Sequence, residues 1–94
     1  MIKSFKSKAL KLFWEKNDSS KLPALHLKKI KFILQIIDDL EYVPDDLKNL
    51  VSFRPHPLKG DLKGFWSLDV SGNYRIIFRM GNINAYDIDY LDTH

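Results

Sequence analysis

From Trp66 to Tyr90 apolar and polar residues alternate with a period of two, broken twice by short Gly- and Asn-containing stretches. Nothing else in the chain restricts its fold as strongly, because this period suits a strand with one buried face and is incompatible with an amphipathic helix. Trp66, Leu68 and Val70 point one way; Phe65, Ser67 and Asp69 point the other. After Ser71-Gly72-Asn73, the residues Tyr74, Ile76 and Phe78 alternate with Arg75, Ile77 and Arg79. After Gly81 and Asn82, Tyr86, Ile88 and Tyr90 alternate with Asp87 and Asp89. A three-stranded antiparallel meander is expected. A three-residue loop after Val70 pairs Val70 with Tyr74, Leu68 with Ile76 and Trp66 with Phe78. A second three-residue loop, Gly81-Asn82-Ile83, pairs Ile76 with Ile88 and Phe78 with Tyr86, which leaves one face wholly apolar. A two-residue loop would set Ile76 against Asp87 and mix the faces.

The first half follows the helical period. Ile2–Phe5 is long enough only for a short opening strand. Ser7 can cap a helix running to about Lys16, with Leu10, Phe13 and Trp14 on one face. Asn17-Asp18-Ser19-Ser20 reads as a loop. Pro23 suits the first turn of a second helix reaching about Glu41, whose stripe of Leu27, Ile30, Ile33, Leu34, Ile37 and Leu40 lies opposite Lys28, Lys31, Gln35 and Asp38. Its charges oppose the helix dipole, which hints that they serve a partner. The expected architecture is α+β: one domain over residues 1–94, with two N-terminal helices packed on one face of a small antiparallel sheet. Trp14 and Trp66 fall on the apolar faces and read as core residues.

Several function classes are excluded early. The chain has no cysteine, which removes disulfides, thiol nucleophiles and zinc-thiolate sites. Its apolar runs are too short for a membrane span, and the first residues lack the apolar stretch of a secretory signal. A cytoplasmic protein is expected. The net charge of +3 is unevenly spread: residues 1–31 hold nine Lys against Glu15 and Asp18, a net of +7. Such a basic third suits either a polyanionic partner or a solvated lysine-rich helix surface.

Three places hold residues capable of chemistry. On the polar face of the meander Arg75 is expected between Asp69 and Asp89, with Arg79 nearby. The two arginines form either a phosphate cradle or a surface ion-pair ladder. In Phe53-Arg54-Pro55-His56-Pro57-Leu58-Lys59-Gly60-Asp61 a histidine stands between two prolines. Those stiffen the backbone, as a group transferring protons requires, although an exposed histidine in a proline-rich connection looks the same. The chain ends Asp92-Thr93-His94, where carboxylates favour the protonated imidazole and so a general acid, unless the terminus simply frays. His26, early in the second helix, reads as structural or exposed. No close pair of ligands suggests a metal.

Together these segments resemble HigB toxins, of the RelE-like superfamily of bacterial type II toxin-antitoxin systems. The likeness rests on Met1-Ile2-Lys3-Ser4-Phe5, His56-Pro57-Leu58-Lys59-Gly60-Asp61, the run Val70 to Arg79 and the run Tyr86 to His94, in order along the chain. It implies a RelE-like fold and a ribosome-dependent endoribonuclease that cuts mRNA without metal or cofactor. It also implies a cognate HigA-type helix-turn-helix antitoxin, through which alone operator DNA would be reached. The site residues implied are His56, Lys59, Arg75, Asp92 and His94. Thr93 departs from the family, where tyrosine is common, and takes away an aromatic face for stacking on a base.

The resemblance suggests a mechanism in which the RNA 2′-hydroxyl attacks, His56 and His94 handle the protons, and Arg75 and Lys59 neutralise the phosphorane. Asp92 would orient His94. Lys3, Lys6, Lys8, Lys11, Arg54 and Arg79 are candidates for gripping RNA on the ribosome. The alternative is a weakly active or inactive homologue that binds the antitoxin within a transcriptional autorepression complex.

Overall fold

A computed structural model of the chain describes residues 1–92. Helix α1 spans Lys8–Lys16 and α2 spans Leu27–Asp39. Four strands follow: β1 at His56–Pro57, β2 at Trp66–Asp69, β3 at Tyr74–Gly81 and β4 at Asn84–Asp92. They form one antiparallel sheet in the order β1-β2-β3-β4.

Local chemistry explains the helix boundaries. Ser7 accepts the Leu10 N–H at 3.1 Å, and Asn17 closes α1 in the left-handed region at φ 55. Pro23 starts the second helical segment, but as a tight turn at Ala24–His26 before the α-helix proper. That helix stops at Asp39, two residues short of Glu41. Ile30, Ile33, Leu34 and Ile37 are fully buried, as the stripe requires. Asp38 does not project freely from the opposite side; its carboxylate accepts the Ile2 N–H at 2.9 Å. This member of the acidic helix end therefore serves its own chain, by tying down the N-terminus.

Both helices cover one face of the sheet. Leu68, Val70, Ile76, Phe78, Ala85 and Ile88 meet Leu10, Phe13 and the α2 stripe in a single apolar cluster, with Trp14 and Trp66 packed partly buried at its margin. The N-terminal segment runs parallel to β4, bridging at Ile2–Ala85 and Phe5–Ile88. β1 turns the proline-flanked segment into an edge strand, with His56 opposite Ser67.

The β2–β3 register is the expected one, from Trp66 opposite Phe78 to Asp69 opposite Arg75. The β3–β4 register is different. Gly81 pairs with Asn84, so the turn has two residues, Asn82 and Ile83, both at positive φ. Parity is restored further on by a β-bulge at Asp87, φ 54, between the Arg79–Tyr86 and Ile77–Asp89 pairs. Ile76 therefore faces Tyr90, and Arg75 lies between Asp69 and Leu91, with Asp89 one row along. A short turn followed by a bulge serves the buried face as well as the longer loop. The difference falls on Ala85, which enters the core, and on Tyr86, which leaves it.

Candidate active site

The face turned away from the helices carries the candidate chemistry. Paired residues across a sheet share a face, so His56, Ser67, Ile77 and Asp89 form one row and Asp69, Arg75 and Leu91 the next. Ser67 and Ile77 are buried and floor this surface.

His56 is fixed by the residues before it. Arg54 adopts φ 50 where the Val51–Phe53 turn ends, and this swings its carbonyl to 2.8 Å from His56 Nδ1. A carbonyl oxygen only accepts, so Nδ1 carries a proton. In the neutral ring the lone pair is then left on Nε2. Pro55 and Pro57 restrict the backbone on either side, while pairing with β2 holds it extended. The histidine is thus presented with a defined orientation and tautomer.

Asp69 organises the cations. Its Oδ1 lies 3.6 Å from Arg75 Nε and its Oδ2 lies 3.8 Å from Arg54 Nε. Both contacts are ion pairs beyond hydrogen-bond length. Arg54 is 80% exposed and loosely held, whereas Arg75 and Asp69 are 33% and 16% exposed, so screening weakens the outer pair more. Arg75 remains a partly buried cation beside Asp69, one row from His56. The expected register put Arg75 between Asp69 and Asp89, as a phosphate cradle or an ion-pair ladder; the observed cluster instead joins Arg54, Asp69 and Arg75 and reaches His56 through the Arg54 carbonyl.

A second cationic group stands further along the same face. Arg79 Nη2 meets Asp87 Oδ2 at 2.7 Å, and the Arg79 and Lys6 head groups each lie 5.6 Å from the Phe65 ring centroid. Lys59 is exposed three residues beyond His56, within roughly 10 Å by chain length. Lys3, Lys8 and Lys11 are exposed on the N-terminal segment and α1. Among the described residues no three His, Asp or Glu side chains stand together as a metal-binding group.

Asp92 occupies a different position. It pairs with Tyr74, so its side chain starts from the helix side of the sheet, opposite to Arg75. β1 and β4 are the outer strands of the four, and Asp92 lies three residues beyond Asp89 in the row of His56, which sets His56 and the end of β4 roughly 17 Å apart. Near Asp92 the Tyr74 and Tyr90 rings stack with centroids 5.3 Å apart, and His26 meets Tyr74 at a tilt with centroids 5.2 Å apart. The Tyr90 hydroxyl is pushed up to about 12, first by burial and then by Tyr74 and Asp92, so it stays protonated at neutral pH. Thr93 and His94 lie outside the described residues.

Two residues at this surface escape a sequence reading. Asp69 reads as a neighbour of Arg75 alone, and only the folded chain brings Arg54 to it as well. Tyr86 is assigned to the core by an unbroken period of two. The one local signal against that is Asn82, which favours a two-residue turn.

Comparison with known proteins agrees with this architecture. Endoribonuclease HigB of Proteus vulgaris is 44% identical over 94 residues, covering 100% of both chains. YafQ from E. coli strain BL21(DE3) matches with a TM-score of 0.61 at 14% identity, over 98% of this chain and 93% of that one. The YoeB-YefM complex from Staphylococcus aureus contains a chain matching at 0.58 and 21% identity, over 100% of this chain and 98% of that one. At such identities the two structures speak for the RelE-like fold alone. The HigB-like toxin profile, described as the RelE-like toxin of type II toxin-antitoxin system HigB, matches residues 3–94. This chain therefore belongs to the HigB-like family of RelE-like toxins.

Proposed function

We propose that this toxin is a ribosome-dependent endoribonuclease that cuts mRNA by metal-independent acid–base chemistry. The observation that carries the reading is the fixed tautomer of His56, whose Nδ1 is committed to the Arg54 carbonyl on the face that also presents Arg75. Endoribonuclease activity has further support in the 44% identity with Endoribonuclease HigB.

RNA brings its own nucleophile. His56 Nε2 takes the proton of the 2′-hydroxyl, the oxygen attacks the adjacent phosphorus, and the 5′-oxygen leaves with a proton from His94. The products are a 2′,3′-cyclic phosphate and a free 5′-hydroxyl. Arg75, with Lys59, neutralises the charge that builds on the phosphorane, and Asp92 orients His94. A general base is worth about 10²–10⁴ in rate. The exposed Lys3, Lys6, Lys8 and Lys11, with Arg54 and Arg79, hold ribosomal or messenger RNA backbone, and this contact weakens as salt rises.

As a toxin of a type II system the protein has an antitoxin partner. We infer that this partner is of the HigA helix-turn-helix type and that operator DNA is reached only through it. Among the described residues no helix is long and apolar enough to cross a membrane.

Primer extension on a message, with and without translating ribosomes, tests the proposal. Discrete cuts are expected only on ribosomes, and H56A should abolish them. Equal cleavage of free RNA would remove the ribosome from the mechanism. Wild-type rates in H56A or H94A would remove the corresponding histidine.

A further inference from the structure

The bulge at Asp87 turns Tyr86 out of the core, and several contacts hold it there. Asp87 sits at φ 54, a conformation that a residue with a Cβ seldom adopts. Its N–H donates to Ser4 Oγ at 2.9 Å, and its carboxylate meets Arg79 at 2.7 Å. Bulges beside functional sites commonly re-aim one side chain. The side chain re-aimed here is Tyr86, which comes to lie opposite Arg79 on the face that carries His56 and Arg75.

Its surroundings fit a flat ligand. Tyr86 borders an open recess of about 390 Å³ whose other walls are Gly64, Arg79, Met80 and Gly81. Two walls are glycine backbone. A Cβ at Gly81 would stand 3.5 Å from the Tyr86 ring, so a larger side chain there would cover it. Arg79, a wall of the recess whose Nη2 pairs with Asp87, shares the Phe65 ring with Lys6, each cation 5.6 Å from its centroid. Arg75 and Arg79 are four residues apart on one face of β3, about 13 Å, so the recess and the proposed cleavage centre share one surface.

We propose that this recess is a subsite for a nucleotide of single-stranded RNA that flanks the cleavage point without adjoining it. The base stacks on Tyr86, and Arg79 and Lys6 meet its phosphate. The assignment rests on the endoribonuclease reading. Single-stranded RNA is gripped by this combination of an aromatic face and nearby cations, and every base offers a π-face. The subsite therefore supplies affinity and not base preference.

The test is single-turnover cleavage of a message on programmed ribosomes over a range of purified toxin concentrations. Y86L should raise the half-saturating concentration about tenfold, with little change in the limiting rate, and Y86W should restore it. G81V, which walls off the ring while leaving Tyr86 in place, should act like Y86L and decides the matter if Y86L fails to fold. Wild-type saturation curves for Y86L, or for G81V where Y86L is unfolded, would overturn the subsite alone. Wild-type protein that cuts no message would sink the nuclease reading and the subsite with it.

Discussion

Asp69 is the residue through which the open face acquires its order, because one carboxylate steadies two guanidinium groups of unequal exposure. Replacing it by Asn keeps the shape and removes the charge that orients Arg75. Misplacing a catalytic group by about 1 Å can cost 10²-fold, so D69N is expected to lower the single-turnover rate about ten- to a hundredfold. R54A should cost less, since Arg54 is the exposed member of the cluster. Equal losses in the two variants would show that Asp69 has no special hold on Arg75. Asp46 illustrates a different use of a carboxylate. The N–H groups of Tyr42, then Glu41, hold its pKa below the ordinary 3.8 in the folded protein. Its stabilisation is present above that value and disappears as pH falls through the lower folded value. In D46N this part of the acid dependence should vanish, leaving a flatter profile of unfolding midpoint against pH below about 4.

Among the elements, the β3–β4 hairpin is the least regular. Its two turn residues, Asn82 and Ile83, have φ of 51 and 63. Asn tolerates that region, but a β-branched residue does not, and Ile83 is 47% exposed and gains little from burial. I83G should relieve the strain at some cost in unfolded-chain entropy, a net gain of about 0.5–1 kcal/mol. Thermal unfolding should report a midpoint higher by about 2–6 °C. A lower midpoint would mean that the Ile83 side chain contributes packing that outweighs its backbone. Helix α1 shows the opposite case, in which a local signal is obeyed in full: S7A removes the acceptor of the Leu10 N–H and should cost about 1 kcal/mol.

The whole molecule rests on the single apolar cluster between the helices and the sheet. Phe78 lies at its centre, fully buried in β3 and opposite Trp66. F78A should destabilise by about 3–5 kcal/mol, a large part of the 5–15 kcal/mol typical of a domain. Denaturant unfolding monitored by Trp fluorescence would show the midpoint collapse. Neither α1 nor α2 packs on the opposite face, where the buried Ser67 and Ile77 floor a surface rimmed by His56, Arg75 and Arg79. The fold thus separates a face that supplies stability from a face available for chemistry. Lys6 belongs to both regions: its backbone N–H bonds the Ile88 carbonyl while its ammonium reaches the Phe65 ring on the open face.

Sequence alone determined the two helices and the three-stranded meander, the α1 boundaries, the buried stripe of α2, the β2–β3 register and the proline-framed His56, though not that His56–Pro57 adds a fourth strand. All of these follow from periodicity, capping and φ restriction, which act over a few neighbouring residues. Tertiary structure decided the rest. A parity argument sees only the combined effect of turn and bulge, so it could not tell a three-residue loop from a two-residue turn with a bulge at Asp87, nor see Tyr86 leave the core. The contacts that settle the bulge and the N-terminus, Asp87 to Ser4 and Ile2 to Asp38, join residues 83 and 36 positions apart. Local pattern carries no record of pairings at such separations, because they exist only once the chain has closed on itself.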